Sequence, residues 1–241
     1  MPRLHKMSED WNFPTAQTLK QYDHGLKHGL VPAGHRVLHI PAREVPQHNV
    51  PGKKVDWILA RMHRVITEMQ KVGRPILGLA APQIGTDLRV IFVQRGDQPK
   101  DATFGDFMPV INPRVTRISK LALVSQGCFS SNEVFARIPS AHALVLTGYS
   151  RFGEHMRLER NGRDAVVDQH ACWHLQGTRA ADVAVGKGIQ LDWRPPERAQ
   201  EYRDFIASTE KSRRRIEWTF PYPAEQWAAV KDGGFKLEAF N

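Results

Sequence analysis

Cysteine is scarce in this sequence. The chain has 241 residues and only two cysteines, Cys128 and Cys172, which lie far apart. Small secreted domains that depend on disulfides carry several cysteines in a much shorter chain, so this chain does not belong to that class. A reducing compartment suits the two thiols.

The sequence also lacks long apolar runs, repeats and low-complexity tracts. No stretch approaches the roughly 18 consecutive apolar residues of a membrane span. Hydrophobic residues make up 41% of the chain and charged residues 24%, which is ordinary for a globular protein in water. The length predicts one domain with appendages, large enough to bury a core.

The N-terminal stretch does not resemble a secretory signal either. The N-terminal stretch MPRLHKMSEDWNFP has no apolar centre, and its Glu9 and Asp10 argue against an acid-poor transit peptide. Lysine and arginine number 34 against 25 acidic residues, a formal charge of +9. Such a charge favours encounter with RNA, the ribosome or anionic surfaces, and it also serves solubility alone. No specific nucleic-acid site is predicted.

The chain divides into three parts by composition. We expect a loose, polar arm over residues 1–35 and a domain over residues 36–185. We expect residues 186–241 to form an extension that is partly helical from PPERAQ onward. Within the domain, VLHIP predicts a short strand, residues 55–72 an amphipathic helix closed by Gly73, and four apolar runs predict strands. The four runs are LRVIFVQ, MPVINP, KLALVSQ and ALVLTGYS. Strands followed by a helix indicate an α+β fold.

Two histidines stand four residues apart in QHACWHLQG. On a helix, His170 and His174 lie one turn apart on one face, as two ligands of a single metal must. Packed histidines at this spacing are commoner than ligands, so the pair needs support from elsewhere. The residue after the first histidine is Ala171, so a carboxylate is absent where a metal hydrolase would carry one.

Two further stretches supply that support. In SQGCFS, Cys128 follows a predicted strand, where a thiolate can reach the histidine pair. One sulfur and two imidazole nitrogens leave the fourth tetrahedral position open, as in a catalytic metal site. In ILGLAAPQIG, small residues allow close backbone approach, and the Gln83 side-chain amide is able to donate to an oxyanion.

In this order, the three stretches resemble the motifs of the peptide deformylase family, G-x-G-x-A-A-x-Q, E-G-C-x-S and Q-H-E-x-x-H-L-x-G. The resemblance extends over residues 36–182. It implies an α+β fold with antiparallel or mixed sheets around a central metal-binding helix, and removal of the formyl group from the N-terminal methionine of nascent chains. It also implies one divalent metal ion, Fe²⁺ or Zn²⁺, with Ni²⁺ or Co²⁺ as substitutes.

The resemblance assigns roles residue by residue. The implied metal ligands are Cys128, His170 and His174. The implied oxyanion donors are the Gln83 amide and the backbone N–H of Phe129. The implied lining of the approach to the metal is Gly78, Leu79, Ala80 and Ala81, with Gly127 allowing the strand to turn.

The departures from the family pattern concern proton transfer and charge. The family's glutamate after the first histidine takes a proton from the attacking water and passes one to the leaving amine, and Ala171 does neither. The glutamate of E-G-C-x-S is Gln126 here, and the arginine with which we expect it to pair in the family aligns with Ser140. Losing both together avoids a buried unpaired charge. Ile76 replaces a glycine, which we expect to narrow the cleft.

Three functions therefore stay open. The chain is a deformylase in which the metal sustains slow turnover, or a silent pseudo-deformylase that binds formyl-peptides, a ribosome or a protein, or a structural metal protein with a closed site. Glu133 is the nearest acidic candidate for a substitute base. Formyl-methionine chemistry and the basic charge favour a mitochondrion, with plastid or bacterial cytoplasm as alternatives.

Overall fold

The computed structural model describes residues 16–32, 34–73, 76–95, 107–118, 121–179 and 189–191, and the predicted helix after residue 191 lies outside this part. Three α-helices are described: α1 (Ala16–Lys27), α2 (Lys53–Lys71) and α3 (Gly162–His174). Eight strands are described: β1 (Gly78–Ala80), β2 (Val90–Gln94), β3 (Phe107–Ile118), β4 (Leu121–Cys128), β5 (Ser131–Ala141), β6 (Ala143–Tyr149), β7 (His155–Asn161) and β8 (Ile189–Leu191).

The strands form two antiparallel sheets. One has five strands in the order β1-β2-β3-β6-β7, and the other has three in the order β4-β5-β8. All pairings between these strands are antiparallel. The α+β prediction is confirmed, as are the four strands predicted from apolar runs, which correspond to β2, β3, β4 and β6.

Strand β2 of the five-stranded sheet is buried on both faces, which explains its unbroken apolar run. Side chains alternate between the faces of a strand. Val90 and Phe92 therefore pack with α2, while Ile91 and Val93 pack with α3. We call these two regions the α2-side core and the α3-side core. The sheet is the layer that holds the two long helices at a fixed separation.

Helix α2 forms as its periodicity predicts. It begins after Gly52 and ends at Lys71, and Gly73 follows with a φ of 70°. Its apolar positions, three and four residues apart, are all buried against the sheet: Val55, Ile58, Leu59, Met62, Val65, Ile66 and Met69. The predicted helix and its closing glycine are confirmed.

Helix α3 is the most enclosed of the three described α-helices, because it contacts strands of both sheets. Eight of its thirteen residues are buried. Arg160 of β7, itself 4% exposed, donates through Nε to Asp168 Oδ2 at 2.6 Å and through Nη2 to the Gln94 carbonyl at 2.7 Å. Burial raises the pKa of Asp168 to about 7, and the Arg160 charge opposes that rise. This buried pair ties the helix to the edge of the sheet.

The N-terminal segment is more ordered than its polarity predicts. Residues Ala16–Lys27 form α1, where we expected an arm without regular structure. Tyr22 is 3% exposed, Leu30 packs into the α2-side core, and Gln21 Nε2 donates to the Val72 carbonyl at 2.7 Å. Few apolar side chains anchor this helix, so its periodicity is too weak to detect in the sequence.

The predicted strand at VLHIP is wrong. Residues Arg36–His39 form a 3₁₀ helix whose first turn is capped by His35, since its Nδ1 accepts from the Val37 N–H at 3.3 Å. Local capping satisfies the backbone without a partner strand.

Among the described residues, no helix is both long enough and apolar enough to cross a membrane.

The glycine after α3 is fixed by steric contact. Gly177 has a φ of 69°, and a Cβ added there would lie 2.6 Å from the carbonyl carbon of Ile40. Gly73 after α2 has nearly the same φ, 70°, but an added Cβ would meet nothing described within 4 Å. A comparison of the two positions therefore separates the cost of a left-handed backbone from the cost of steric overlap.

We predict that Gly177→Ala destabilises the protein more than Gly73→Ala does. Both variants carry the cost of a left-handed alanine, about 1–2 kcal/mol. Gly177→Ala adds an overlap with backbone that has no room to move, about 1–3 kcal/mol. Urea unfolding of both variants measures the difference. Equal losses would show that the chain at Ile40 does not constrain the end of α3.

Candidate metal centre

The three predicted ligands converge at the buried end of α3. One donor atom each from Cys128, His170 and His174 lies within 4.8 Å of the others. Cys128 Sγ is 3.3 Å from His174 Nε2, and the two imidazole centroids are 5.1 Å apart. Cys128 and His174 are buried and His170 is partly buried. The structure thus forms a compact group of one sulfur and two imidazoles.

Helix α3 and strand β4 supply the three side chains of the group. Helix α3 presents both histidines from its last two turns. Strand β4 ends at Cys128, where the pairing with β5 shifts register between Gly127 and Cys128. This irregularity lies at the glycine that the sequence assigned to a change in strand direction, and such bulges commonly re-aim a side chain.

A polar relay orients His170. Its Nδ1 lies 2.8 Å from Gln126 Oε1, and Gln126 Nε2 donates to Ser140 Oγ at 2.7 Å. A carbonyl oxygen only accepts, so Nδ1 carries the hydrogen and Nε2 keeps its lone pair for a metal. Gln126 and Ser140 do face each other, as the expected glutamate and arginine of the family would.

Sequence reasoning missed the bond between Gln126 and His170. Only part of the signal was present in the sequence: residues two apart share a face of a regular strand, as Gln126 and Cys128 would, but the pattern does not specify how β4 meets α3. A second link was also missed: Gln169 Oε1 accepts from the Ala141 N–H at 2.8 Å, which joins α3 to β5. Both links fix the helix against the smaller sheet.

Burial keeps both imidazoles neutral. It lowers the pKa of His170 to about 4, and it lowers the pKa of His174 as well, where the charges of His170 and Arg179 add to the effect. Neutral imidazole is the form that binds a metal. No carboxylate of the described residues contributes to either shift.

Gln83 lies beside the ligand sulfur. It belongs to the 3₁₀ helix Ala81–Ile84 and is 4% exposed. Its Oε1 accepts from the Ala80 N–H at 2.9 Å, and its Nε2 lies 3.9 Å from Cys128 Sγ. Since the acceptor end is held by the backbone, the donor end of the amide points toward the centre.

The position after His170 is apolar. Ala171 is 3% exposed and packs in the α3-side core. Within the described residues, the group around Cys128 includes no carboxylate, and Asp168 is bound to Arg160. Cys172 is buried, and burial raises its pKa to about 12. The Glu133 side chain lies outside the described part.

The predicted lining residues divide between the two faces of the sheet. Gly78 lies against α3, since a Cβ there would be 2.6 Å from Val167 Cγ1, and Ala80 packs in the α3-side core. Leu79 and Ala81 pack in the α2-side core instead. Strand alternation turns the Leu79 side chain into the α2-side core. That these four positions line the approach to the metal stays a prediction.

Two other predicted positions have different outcomes. Ile76 is fully buried in the α2-side core, so it fills the interior and does not narrow an open cleft. Phe129 follows Cys128 in the turn between β4 and β5 and packs partly against the same core. Its role as a backbone donor stays a prediction.

The donor set fits a single transition-metal ion. A thiolate and two neutral imidazoles suit Zn²⁺ or Fe²⁺, and neither Mg²⁺ nor Ca²⁺ prefers such ligands. The ordered Nδ1 contact of His170 is the outer support that metal-binding histidines usually have. Three protein ligands leave room for an exogenous one.

Comparison with known proteins agrees with this arrangement. The family model for polypeptide deformylase matches residues 27–188. Peptide deformylase 1A, chloroplastic/mitochondrial, from Arabidopsis thaliana is 34% identical over 170 residues, which cover 65% of this chain and 61% of that protein. The tomato (Solanum lycopersicum) peptide deformylase 1A, chloroplastic, is 33% identical, over 64% of this chain and 58% of its own length. The chain thus spans about three fifths of these relatives.

Solved structures show the same fold. A class I type b peptide deformylase from Acinetobacter baumannii aligns with a TM-score of 0.55 at 21% identity, over 64% of this chain and 97% of that one. The Synechococcus elongatus peptide deformylase in complex with actinonin aligns at 0.54 and 24% identity, over 66% and 80%. The family match covers most of the chain and includes both histidines, the cysteine and Gln83, and on that ground the chain belongs to the polypeptide deformylase family.

Proposed function

We propose that this chain binds one divalent ion, Zn²⁺ or Fe²⁺, through Cys128, His170 and His174, and presents it to the formyl group of an N-formyl-methionyl peptide, with little or no hydrolysis. The observation that carries this proposal is the combination of an intact ligand group with a buried methyl group at Ala171. Binding and proton transfer are separate requirements of the site, and only the second is lost.

The residues around the centre suit a carbonyl ligand. A metal held there would act as a Lewis acid on the formyl group. The Gln83 amide, held at its oxygen by Ala80, points its N–H groups toward the same place. A preorganised donor of this kind stabilises negative charge that develops on a carbonyl oxygen. The Phe129 N–H is the second donor in this proposal.

Hydrolysis needs a group that removes a proton from water and returns one to the amine. A positioned base contributes about 10² to 10⁴ in rate. The Ala171 methyl group accepts no proton, and the nearby described carboxylate, Asp168, accepts a charged hydrogen bond from Arg160 Nε at 2.6 Å. The site therefore keeps recognition and loses the proton carrier.

Two alternatives are less well supported. A working deformylase would need a base that the described residues do not offer beside the ligands. A closed structural site would need a fourth protein ligand. The Gln83 amide nitrogen lies beside Cys128 Sγ, but it is a hydrogen-bond donor and cannot bind a metal.

The partner proposed for the site is a formyl-methionyl peptide or nascent chain. Support comes from the family match and from an Acinetobacter baumannii deformylase whose structure contains bound Met-Ala-Ser. The ribosome is a further proposed partner, favoured by the +9 charge. We propose a mitochondrion as its compartment, with plastid and bacterial cytoplasm as alternatives. A relative named chloroplastic/mitochondrial supports an organelle without choosing between the two.

We predict that Ala171→Glu creates hydrolytic activity. The carboxylate would stand one residue after His170, where the family has its glutamate, and should raise formyl-Met peptide hydrolysis by about 10² to 10⁴ over wild type. Ala171→Gln is the matched control, because it has the same size without a base and should stay at the wild-type rate. Both are assayed with metal content determined.

Two results would contradict the proposal. Wild-type turnover equal to that of Ala171→Glu would mean that another residue carries the proton. A metal-replete, folded Ala171→Glu variant that neither binds nor hydrolyses formyl-Met peptide would mean that the cleft does not accept this substrate. Thermal unfolding of each variant shows whether the longer side chain is tolerated.

We also predict that the Gln126 relay tunes metal affinity. Gln126→Leu removes the acceptor for His170 Nδ1 and should weaken metal binding about 10- to 100-fold, as for other outer-shell partners. Ser140→Ala removes only the second bond of the relay and should cost less than Gln126→Leu. Competition with a chromophoric chelator measures both. Equal affinity in Gln126→Leu and wild type would show that the relay does not hold the ligand.

A further inference from the structure

A second group of metal-binding side chains lies at the contact between α1 and α2, on residues that the deformylase centre does not use. Donor atoms of His24, His28 and Glu68 all lie within 4.8 Å of one another. His24 Nε2 is 3.6 Å and His28 Nδ1 is 3.9 Å from the same oxygen, Glu68 Oε2. The two imidazole centroids are 4.3 Å apart.

The backbone brings this group together. His24 lies in the last turn of α1, and the His28 N–H donates to the His24 carbonyl at 3.1 Å, so both rings leave the same side of the helix. Gly25 allows α1 to approach α2 closely, since an added Cβ would be 3.0 Å from Met69 Sδ. Glu68 precedes Met69 on α2, and its Oε2 faces both imidazole rings.

The hydrogen bonds of these three side chains leave atoms available to bind a metal ion. Glu68 uses Oε1 for Lys71, whose Nζ lies 2.7 Å away, and turns Oε2 toward the histidines. His24 Nε2 is buried and has no hydrogen-bond partner among the described residues. An aromatic nitrogen enclosed in this way, opposite a carboxylate oxygen, is a position that an ion would satisfy.

We propose that His24, His28 and Glu68 form a second binding site for a divalent transition-metal ion of the Zn²⁺ class, which clamps α1 onto α2. Two imidazoles and one carboxylate are an established zinc ligand set with one position left open. Ligand atoms around tetrahedral zinc are about 3.3–3.5 Å apart, so the 3.6 and 3.9 Å separations need only a small contraction.

The donor set decides the class of ion. Imidazole nitrogen favours Zn²⁺, Co²⁺, Ni²⁺ and Cu²⁺, while Mg²⁺ and Ca²⁺ prefer a shell of oxygens. The side chains are 25%, 21% and 16% exposed for His24, His28 and Glu68, so an ion has access from solvent. His24 precedes residue 27, where the family match begins, whereas His28 and Glu68 lie within the matched region.

The test is a Zn²⁺ titration of the metal-free full chain, with Co²⁺ as a spectroscopic probe. Wild type should bind two equivalents. His28→Ala should weaken the second by at least about 100-fold, since even outer-shell changes cost 10- to 100-fold. His63→Ala is the matched control, an exposed histidine on the same α2. Lys71→Met should retain the second equivalent, because Lys71 competes for Glu68 and is no ligand.

Co²⁺ distinguishes the two sites. The first equivalent should show a thiolate-to-cobalt charge-transfer band from Cys128, and the second should add only weak d–d bands, which vanish in His28→Ala. Zinc should also slow amide hydrogen exchange in residues 16–27 of wild type but not of Glu68→Gln. A second equivalent that survives His28→Ala, or is lost equally in His63→Ala, overturns the proposal, and so does wild-type binding of one equivalent only.

Discussion

The enclosure of α3 between two sheets is the constraint on which the rest of the structure depends. A helix that contacts strands on both sides has little surface left for water, so each polar group that it carries must find a partner inside the protein. Asp168 meets Arg160, Gln169 meets the Ala141 N–H, and His170 meets Gln126. Those bonds fix the rotation and depth of the helix, and thereby the position of its two metal-binding rings.

The same constraint explains why the pair beside the centre is neutral. An ionised glutamate at position 126 would need a buried cation, and an arginine at position 140 would need a buried anion. The neutral pair Gln126 and Ser140 avoids both, with one hydrogen bond of 2.7 Å between buried side chains. The glutamine still reaches His170 with its carbonyl oxygen. The ligand group is therefore held by neutral hydrogen bonds, and the proposed loss of proton transfer concerns only the methyl group of Ala171.

Much of the fold and of the site was predictable from the sequence, and the failures have physical causes. Periodicity identified α2, the spacing of the two histidines favoured the helix that became α3, and three spaced motifs identified the residues that converge at the centre. Helix α1 was missed because tertiary contacts of Tyr22 and Leu30 stabilise it more than its own pattern does. The motif did not show that the Leu79 side chain packs in the α2-side core, because a motif gives no strand register. The bond between Gln126 and His170 depends on how β4 meets α3, which pattern alone does not specify.

The most direct test of the central claim, an open Cys-His-His metal centre, is X-ray absorption at the zinc edge. The His28→Ala variant loaded with one equivalent of Zn²⁺ isolates this centre from the α1–α2 site. The account predicts one sulfur at about 2.3 Å, two imidazole nitrogens at about 2.0–2.1 Å and one exchangeable light-atom ligand. A shell without sulfur, or one completed by a fourth protein ligand, would contradict it.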